Sequence, residues 1–343
     1  MPGLRGSLRR ETLPDPAPGP GELLVEGIAV GVCGTDREIA EGRHGSAPKG
    51  RDRLVIGHES LGRVVEASGS AFRPGDLVAG VVRRPDPVPC GACAHGWFDM
   101  CRNGLYSERG IKQLDGFAAT LWTLEADYAV RLDAGLSHLG VLLEPTSVVV
   151  KAWEQVDRVQ ARSWSDPRSV LVTGAGPVGL LAALIGAQRG LDVHVLDRVT
   201  EGAKPDLVRK LGGQYHSSSI DDAMERIRPD VVIEATGAAA VAMGAMAAIG
   251  PYGVLCLTGL SPVGRTLEID AGQLNRTMVL DNAAVIGSVN ANRDHYLQAS
   301  AVLAAADRDW LDRLITRRLP LADFRSAFEP GTDDVKTVLD LER

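Results

Sequence analysis

The sequence predicts an α/β protein of two domains, one mostly β and one built as a doubly wound parallel sheet. Three observations predict this. The 343 residues exceed one typical domain. Up to about residue 145 the chain is rich in Gly, Pro and short β-type runs, whereas from Ser169 apolar strands alternate with amphipathic helices. Within that second half Gly174, Gly176 and Gly179 form G-x-G-x-x-G where a strand hands over to a helix.

Taken in order, ELLVEGIAVGV, LGRVVEA and GDLVAGVV read as strands, separated by the breaker-rich PDPAPGPG, SGSAFRPGD and RRPDPVPCG. After Glu144-Pro145, SVVVKAWEQV has helical spacing. SVLVTGAG is then a strand, PVGLLAALIGAQRG a helix, DVHVLDR a strand and KPDLVRKLGG a helix closed by glycine. PDVVIEATG, GVLCLTG and AAVIGSV continue the strands, and this alternation implies βαβ units. From about Asn290, HYLQASAVLAAA and WLDRLITRRL read as helices and VKTVLDLE as a closing strand. No internal repeat is present.

Composition excludes several function classes. A net charge of −7 argues against nucleic-acid or anionic membrane surfaces, and 4% aromatics leave few platforms for stacking bases. No apolar run is long enough to span a bilayer, and MPGLRGSLRRETLPDPAPGPGE lacks the apolar core of a signal peptide. A cytoplasmic protein is expected. Five cysteines, three of them within residues 90–101, suit metal ligation better than a disulfide framework.

The glycine run carries a nucleotide signal. Gly174 permits a tight turn, Gly176 lets backbone approach a pyrophosphate, and Gly179, after Pro177 and Val178, lets the helix pack closely. The next strand ends at Asp197, whose carboxylate would accept hydrogen bonds from an adenosine ribose and repel a 2′-phosphate, favouring NAD. Arg198 beside it can pair with such a phosphate, which leaves NADP or dual use open.

A second constellation lies in GVCGTDREIA and VIGHESLGRVVE. Cys33, His58 and Glu59 offer one thiolate, one imidazole and one carboxylate, ligand types of a catalytic zinc with an open position. Each alone reads as an ordinary core or surface residue, as do His44, His138, His194, His216 and His295.

Cys33-Gly34-x-Asp36, Gly57-His58-Glu59 and the later glycines together resemble the zinc-dependent medium-chain dehydrogenases. CGTDREIAEG, SERGIKQLDGF, LLEPTSVVVKAWE and GSVNANRDHYLQA resemble most the archaeal-type glucose 1-dehydrogenase branch. The resemblance spans nearly the whole chain. It implies a GroES-like, mostly β catalytic domain at 1–146, completed by 291–343, and a Rossmann domain at 147–290. It implies Cys33 and His58 as zinc ligands, with Glu144 as third ligand or water-mediated partner and Glu59 joining or leaving the shell. Thr35 is implied as the hydroxyl that takes the substrate proton, and Glu108 and Asn290, with Glu144, as substrate contacts. The activity implied is hydride transfer from a sugar to NAD, or NADP, giving an aldonolactone, in a homodimer or homotetramer.

Two departures qualify this. Where the branch carries an asparagine before an Arg-Arg pair, Val82 precedes Arg83-Arg84. That favours a deoxy or differently configured sugar, or a polyol, inositol or aminocyclitol giving a ketone. A non-catalytic nucleotide-binding protein is the remaining alternative, against which the intact ligand set argues. Relatives also begin with a strand before the segment matching LRRETLPDPAPGPGE, so that strand is expected to be absent or to lie upstream.

The lobe CGACAHGWFDMC resembles the family's Cys-x2-Cys-x2-Cys-x7-Cys site for a second, structural zinc. Cys90, Cys93 and Cys101 match three of its positions, but position 96 is glycine and the lobe is three residues short. His95, next to the gap, would complete a tetrahedral set of three thiolates and one imidazole. The opposing expectation is a metal-free lobe held by Trp97 and Phe98.

Overall fold

The computed structural model describes residues 1–343 apart from Ser68, Arg265, Pro330, Thr332 and Arg343. The chain divides into two compact units, Met1–Ser147 with Asn290–Arg343, and Val148–Val289.

The first unit is built on a long strand, Glu22–Val32, whose inner residues alternate into the core. It pairs antiparallel with Glu59–Glu66, with Leu121–Glu125 and with the C-terminal Thr337–Asp340. The seven-stranded sheet runs Arg317–Pro320, Thr337–Asp340, Glu22–Val32, Glu59–Glu66, Leu77–Gly80 and Ala129–Arg131, with Leu121–Glu125 on the first long strand. Leu23, Val25, Val64, Val78, Phe117, Trp122 and Leu124 fill one core, and Val30, Val32, Ala327, Leu339 and Leu341 a second around the C-terminal strand. A small sheet of Arg83–Arg84, Ser107–Arg109 and Gln113–Leu114 stands apart. The sequence reading of WLDRLITRRL as one helix is corrected here. The helix stops at Leu314, and Arg317–Pro320 pairs parallel with Thr337–Asp340, because the apolar pattern there serves a sheet edge.

The second unit is a six-stranded parallel sheet. Its order is Gln214–His216, Asp192–Leu196, Ser169–Thr173, Val231–Glu234, Val254–Leu257 and Ala284–Gly287. The order reverses at Ser169–Thr173, the position where doubly wound sheets bind ligands beyond their carboxyl ends. That strand runs into Gly174, whose φ of +92° suits glycine alone, and then into the helix Pro177–Gln188. A Cβ on Gly179 would overlap the Gly174 carbonyl oxygen, so the helix lies directly on the turn.

Among the described residues no helix is long and apolar enough to cross a membrane.

Gly179→Ala must push that turn and helix apart. It should cost about 1–3 kcal/mol and lower the thermal midpoint by several degrees. Differential scanning calorimetry reads this, and an unchanged midpoint would show that the packing relaxes freely.

Candidate active site

Cys33 ends the long strand's run and caps the short helix Gly34–Ala40. Its backbone N–H donates to Asp36 Oδ2 at 3.1 Å, which turns the Asp36 carboxylate inward. His58 follows Val55–Gly57 into the strand Glu59–Glu66, and its Nε2 lies 3.0 Å from Cys33 Sγ. Asp36 Oδ1 is 3.2 Å from His58 Nδ1, in ion-pair contact but outside hydrogen-bond alignment. A carboxylate against one ring nitrogen leaves the other free to face a ligand, the orientation a metal-binding imidazole needs.

Glu144, in the first turn of the helix Leu143–Gln160, completes a second group with His58 and Glu59. The donor atoms within each group, Cys33–Asp36–His58 and His58–Glu59–Glu144, lie within 4.8 Å of one another. Sequence reasoning thus named the convergent residues, and Asp36, quoted in the motif without a role, belongs with them.

Lys336 was missed. Its ammonium is 1% exposed, pairs with Glu59 Oε2 and donates to the Val32 carbonyl at 3.2 Å. It stands just before the C-terminal strand, some three hundred residues from Cys33, so no local motif announces it. Gly31 makes room for this pair, since a Cβ there would overlap Glu59 Oε2.

The electrostatics follow from burial. Burial disfavours the His58 cation, but Asp36 and Cys33 outweigh it and hold the imidazole's pKa well above the ordinary value. Glu144 is pushed up to about 7 by burial, with Glu59 and Asp36 adding to the rise and His58 and Lys336 opposing it. A thiol, an imidazole and carboxyl groups converging there form a donor set that fits a divalent cation of zinc's type.

Thr35 is half-buried two residues from Cys33. Glu108 Oε1 accepts from Arg83 Nε and Nη2 at 3.1 and 2.9 Å and from Asn290 Nδ2 at 2.7 Å, so the structure brings the two expected substrate contacts together. Val82 is buried with Ile39 and Ile111, its N–H donating to the Tyr296 hydroxyl at 3.3 Å.

In the lobe, the sulfurs of Cys90, Cys93 and Cys101 lie within 4.8 Å of one another. His95 does not join that group. It is exposed, and its Nδ1 lies 2.7 Å from the Gly91 carbonyl oxygen, because the short helix Gly91–Ala94 turns its ring back along its own backbone. The Cys90 thiol is lowered to about 6, chiefly by the Arg102 N–H, and burial pushes Cys93 up to about 11.

In the second unit Asp197 Oδ2 accepts from the Ala175 N–H at 2.7 Å and Oδ1 from the Val199 N–H at 3.0 Å. Burial raises its carboxyl, but these donors hold it below the usual value. Lys204, not singled out in the sequence, brings its ammonium to 3.6 Å, and Arg198 is exposed. The carboxylate therefore braces the glycine turn.

Residues 19–134 match the family described as alcohol dehydrogenase GroES-like domain, and residues 137–341 that described as glucose dehydrogenase C-terminus. The chain is 40% identical to a glucose 1-dehydrogenase of Methanocella arvoryzae, over 99% of this chain and 98% of that one. It is 41% identical to that of Thermoproteus tenax over the same shares. A Haloferax mediterranei glucose dehydrogenase in complex with NADP, Zn and gluconolactone superposes with a TM-score of 0.92 at 32% identity, over 99% of this chain and 98% of that one.

Glu144 supplies a pH test in metal-free protein. Its folded pKa of about 7 exceeds the unfolded value, so the fold binds the proton more tightly. Stability is fully present below pH 4.5 and falls as pH rises to about 7, by up to about 3 kcal/mol, then levels off. Chelator-treated protein melted across this range should show the slope, and Glu144→Gln should remove Glu144's share of it. Identical slopes in both would assign the dependence elsewhere.

Proposed function

The chain belongs to the zinc-dependent medium-chain dehydrogenases, in the glucose 1-dehydrogenase branch, and we propose that it oxidises the anomeric hydroxyl of an aldose to an aldonolactone. The observation that carries this reading is the convergence on the buried His58 of two groups of donors, Cys33 with Asp36 and Glu59 with Glu144. Cys33, His58 and Glu144 would hold zinc, with Glu59 as an alternate ligand while Lys336 neutralises it.

Zinc held by these residues would supply a Lewis acid for the substrate hydroxyl, and NAD or NADP held by the glycine turn would supply the hydride acceptor. Thr35 would hydrogen-bond the substrate hydroxyl and take its proton as it passes its own to water, since the residue is only half-buried. Arg83 and Asn290 fix Glu108, so that its carboxylate accepts from sugar hydroxyls.

Gly174, Gly176, Pro177, Val178 and Gly179 receive the pyrophosphate, and Asp197 the adenosine ribose. Arg198 and Lys204 are cations suited to a 2′-phosphate, which supports use of both coenzymes. The enzyme works in the cytoplasm as a homodimer or homotetramer. In support, Ala284–Gly287 is the outermost strand of its sheet, flanked by exposed Val279 and Leu280.

The second reading, a polyol or cyclitol substrate giving a ketone, rests on Val82, whose side chain offers no polar contact.

Nicotinamide absorbance should report turnover of D-glucose or another aldose with NAD⁺ and NADP⁺. Turnover confined to cyclitols or polyols would assign the second reading, and none with metal bound would sink both. Cys33→Ser should lower the rate at least about 100-fold. Arg198→Ala should raise KM for NADP⁺ about tenfold, the size of one charge-assisted hydrogen bond, and leave that for NAD⁺ nearly unchanged. Equal effects on both coenzymes would remove Arg198 from phosphate recognition.

A further inference from the structure

The lobe at residues 90–101 does not fit a zinc site closed by four protein ligands, and we infer that it is a three-thiolate metal site whose fourth position is left to an exogenous ligand. Three sulfurs converge from two short turns, the half-buried Cys90 and Cys101 and the buried Cys93. All three are free thiols. The Arg102 N–H donates to Cys90 Sγ at 3.4 Å, an arrangement that stabilises sulfur in its thiolate form.

The other donors of the lobe are committed elsewhere. His95 lies against the Gly91 carbonyl, and position 96, where a fourth cysteine is expected, is glycine. Asp86 accepts from the Val88 N–H through Oδ1 and from Asn103 Nδ2 through Oδ2. Asp99 is buried and accepts from Asn292 Nδ2 at 3.1 Å. Among the described residues the protein therefore supplies three soft ligands to the group and no fourth.

Such a set selects a thiophilic d10 ion, zinc above all, with water or a small thiol as the fourth ligand. Binding displaces thiol protons and changes no oxidation state. The lobe then resembles a catalytic site in its open coordination while sitting on a surface loop. The inference stands apart from the catalytic reading, since it concerns a separate cluster.

The full chain loaded with zinc alone and analysed for bound metal tests this. Cys101→Ser should lose about one equivalent relative to the parent and His95→Ala none. Cys33→Ser acts on the other cluster, so failure of the catalytic reading changes that variant and leaves the lobe comparison intact. Should Cys101→Ser fail to fold, Cys90→Ser at a half-buried position gives the same comparison. In Cys33→Ser loaded with Co²⁺, the sulfur-to-cobalt absorption should shift on adding azide or mercaptoethanol. Loss of metal in His95→Ala, a cobalt spectrum indifferent to added ligand, or equal zinc in the parent and Cys101→Ser would each overturn the inference.

Discussion

A buried excess of negative charge is the constraint on which the first unit depends. Asp36, Glu59 and Glu144 crowd around His58, and burying an unpaired carboxylate costs several kcal/mol. Each acid is answered differently. Asp36 faces the imidazole and a backbone N–H, and Glu59 is paired with Lys336, while Glu144 keeps its proton until about neutral pH. The C-terminal strand exists in part to deliver that lysine. Its register, Val32 opposite Thr337 and Ala29 opposite Asp340, sets Lys336 beside the end of the strand that leads into Cys33. Folding the tail and balancing the site are therefore one event.

The same economy of partners links the lobe to Glu108. Asp99 accepts from Asn292 with its side chain and from Arg83 Nη1 with its carbonyl. Arg83 stacks on Tyr106 and holds Glu108, which in turn receives Asn290. Asn290 sits at φ +63°, a left-handed conformation that asparagine tolerates because its side chain can bond locally, here to the Ala291 N–H. The lobe is thus joined by hydrogen bonds to Arg83, which holds Glu108, and to Asn292.

Local chemistry made much of this legible and distance hid the rest. The glycine turn announces itself by its spacing between a strand and a helix, whereas Cys33, His58 and Glu59 read as ordinary residues one by one and gain a ligand role through the motifs that resemble the family's. Lys336 and Arg83 do neither, because their roles arise only when strands far apart in sequence pair. Asp197 was legible as an acid at a strand end, but its bond to the Ala175 N–H depends on how the glycine turn folds back. His95 misled for the opposite reason. Sequence proximity suggested a ligand, whereas a one-turn helix directs its ring to its own backbone. In WLDRLITRRL the apolar spacing suits either a helix or a sheet edge, and the partner strand decides.

Val82 shows how an apolar side chain can stand beside these polar groups without a stability cost. Its side chain joins Ile39 and Ile111, its N–H finds the Tyr296 hydroxyl and its carbonyl accepts from the Arg109 N–H, so no polar group is orphaned. Glu108 is the opposite case, with one oxygen saturated by three donors and Oε2 taking none of them. A site built to hydrogen-bond a hydroxyl strongly rejects an analogue lacking it, because a buried polar group is then left unpaired. An apolar wall rejects an added or inverted hydroxyl only weakly. On the proposed reading, in which Glu108 and Asn290 face the substrate, recognition of a polyhydroxylated molecule would be strict on their side and permissive where Val82 stands, so selectivity would come from the carboxylate side.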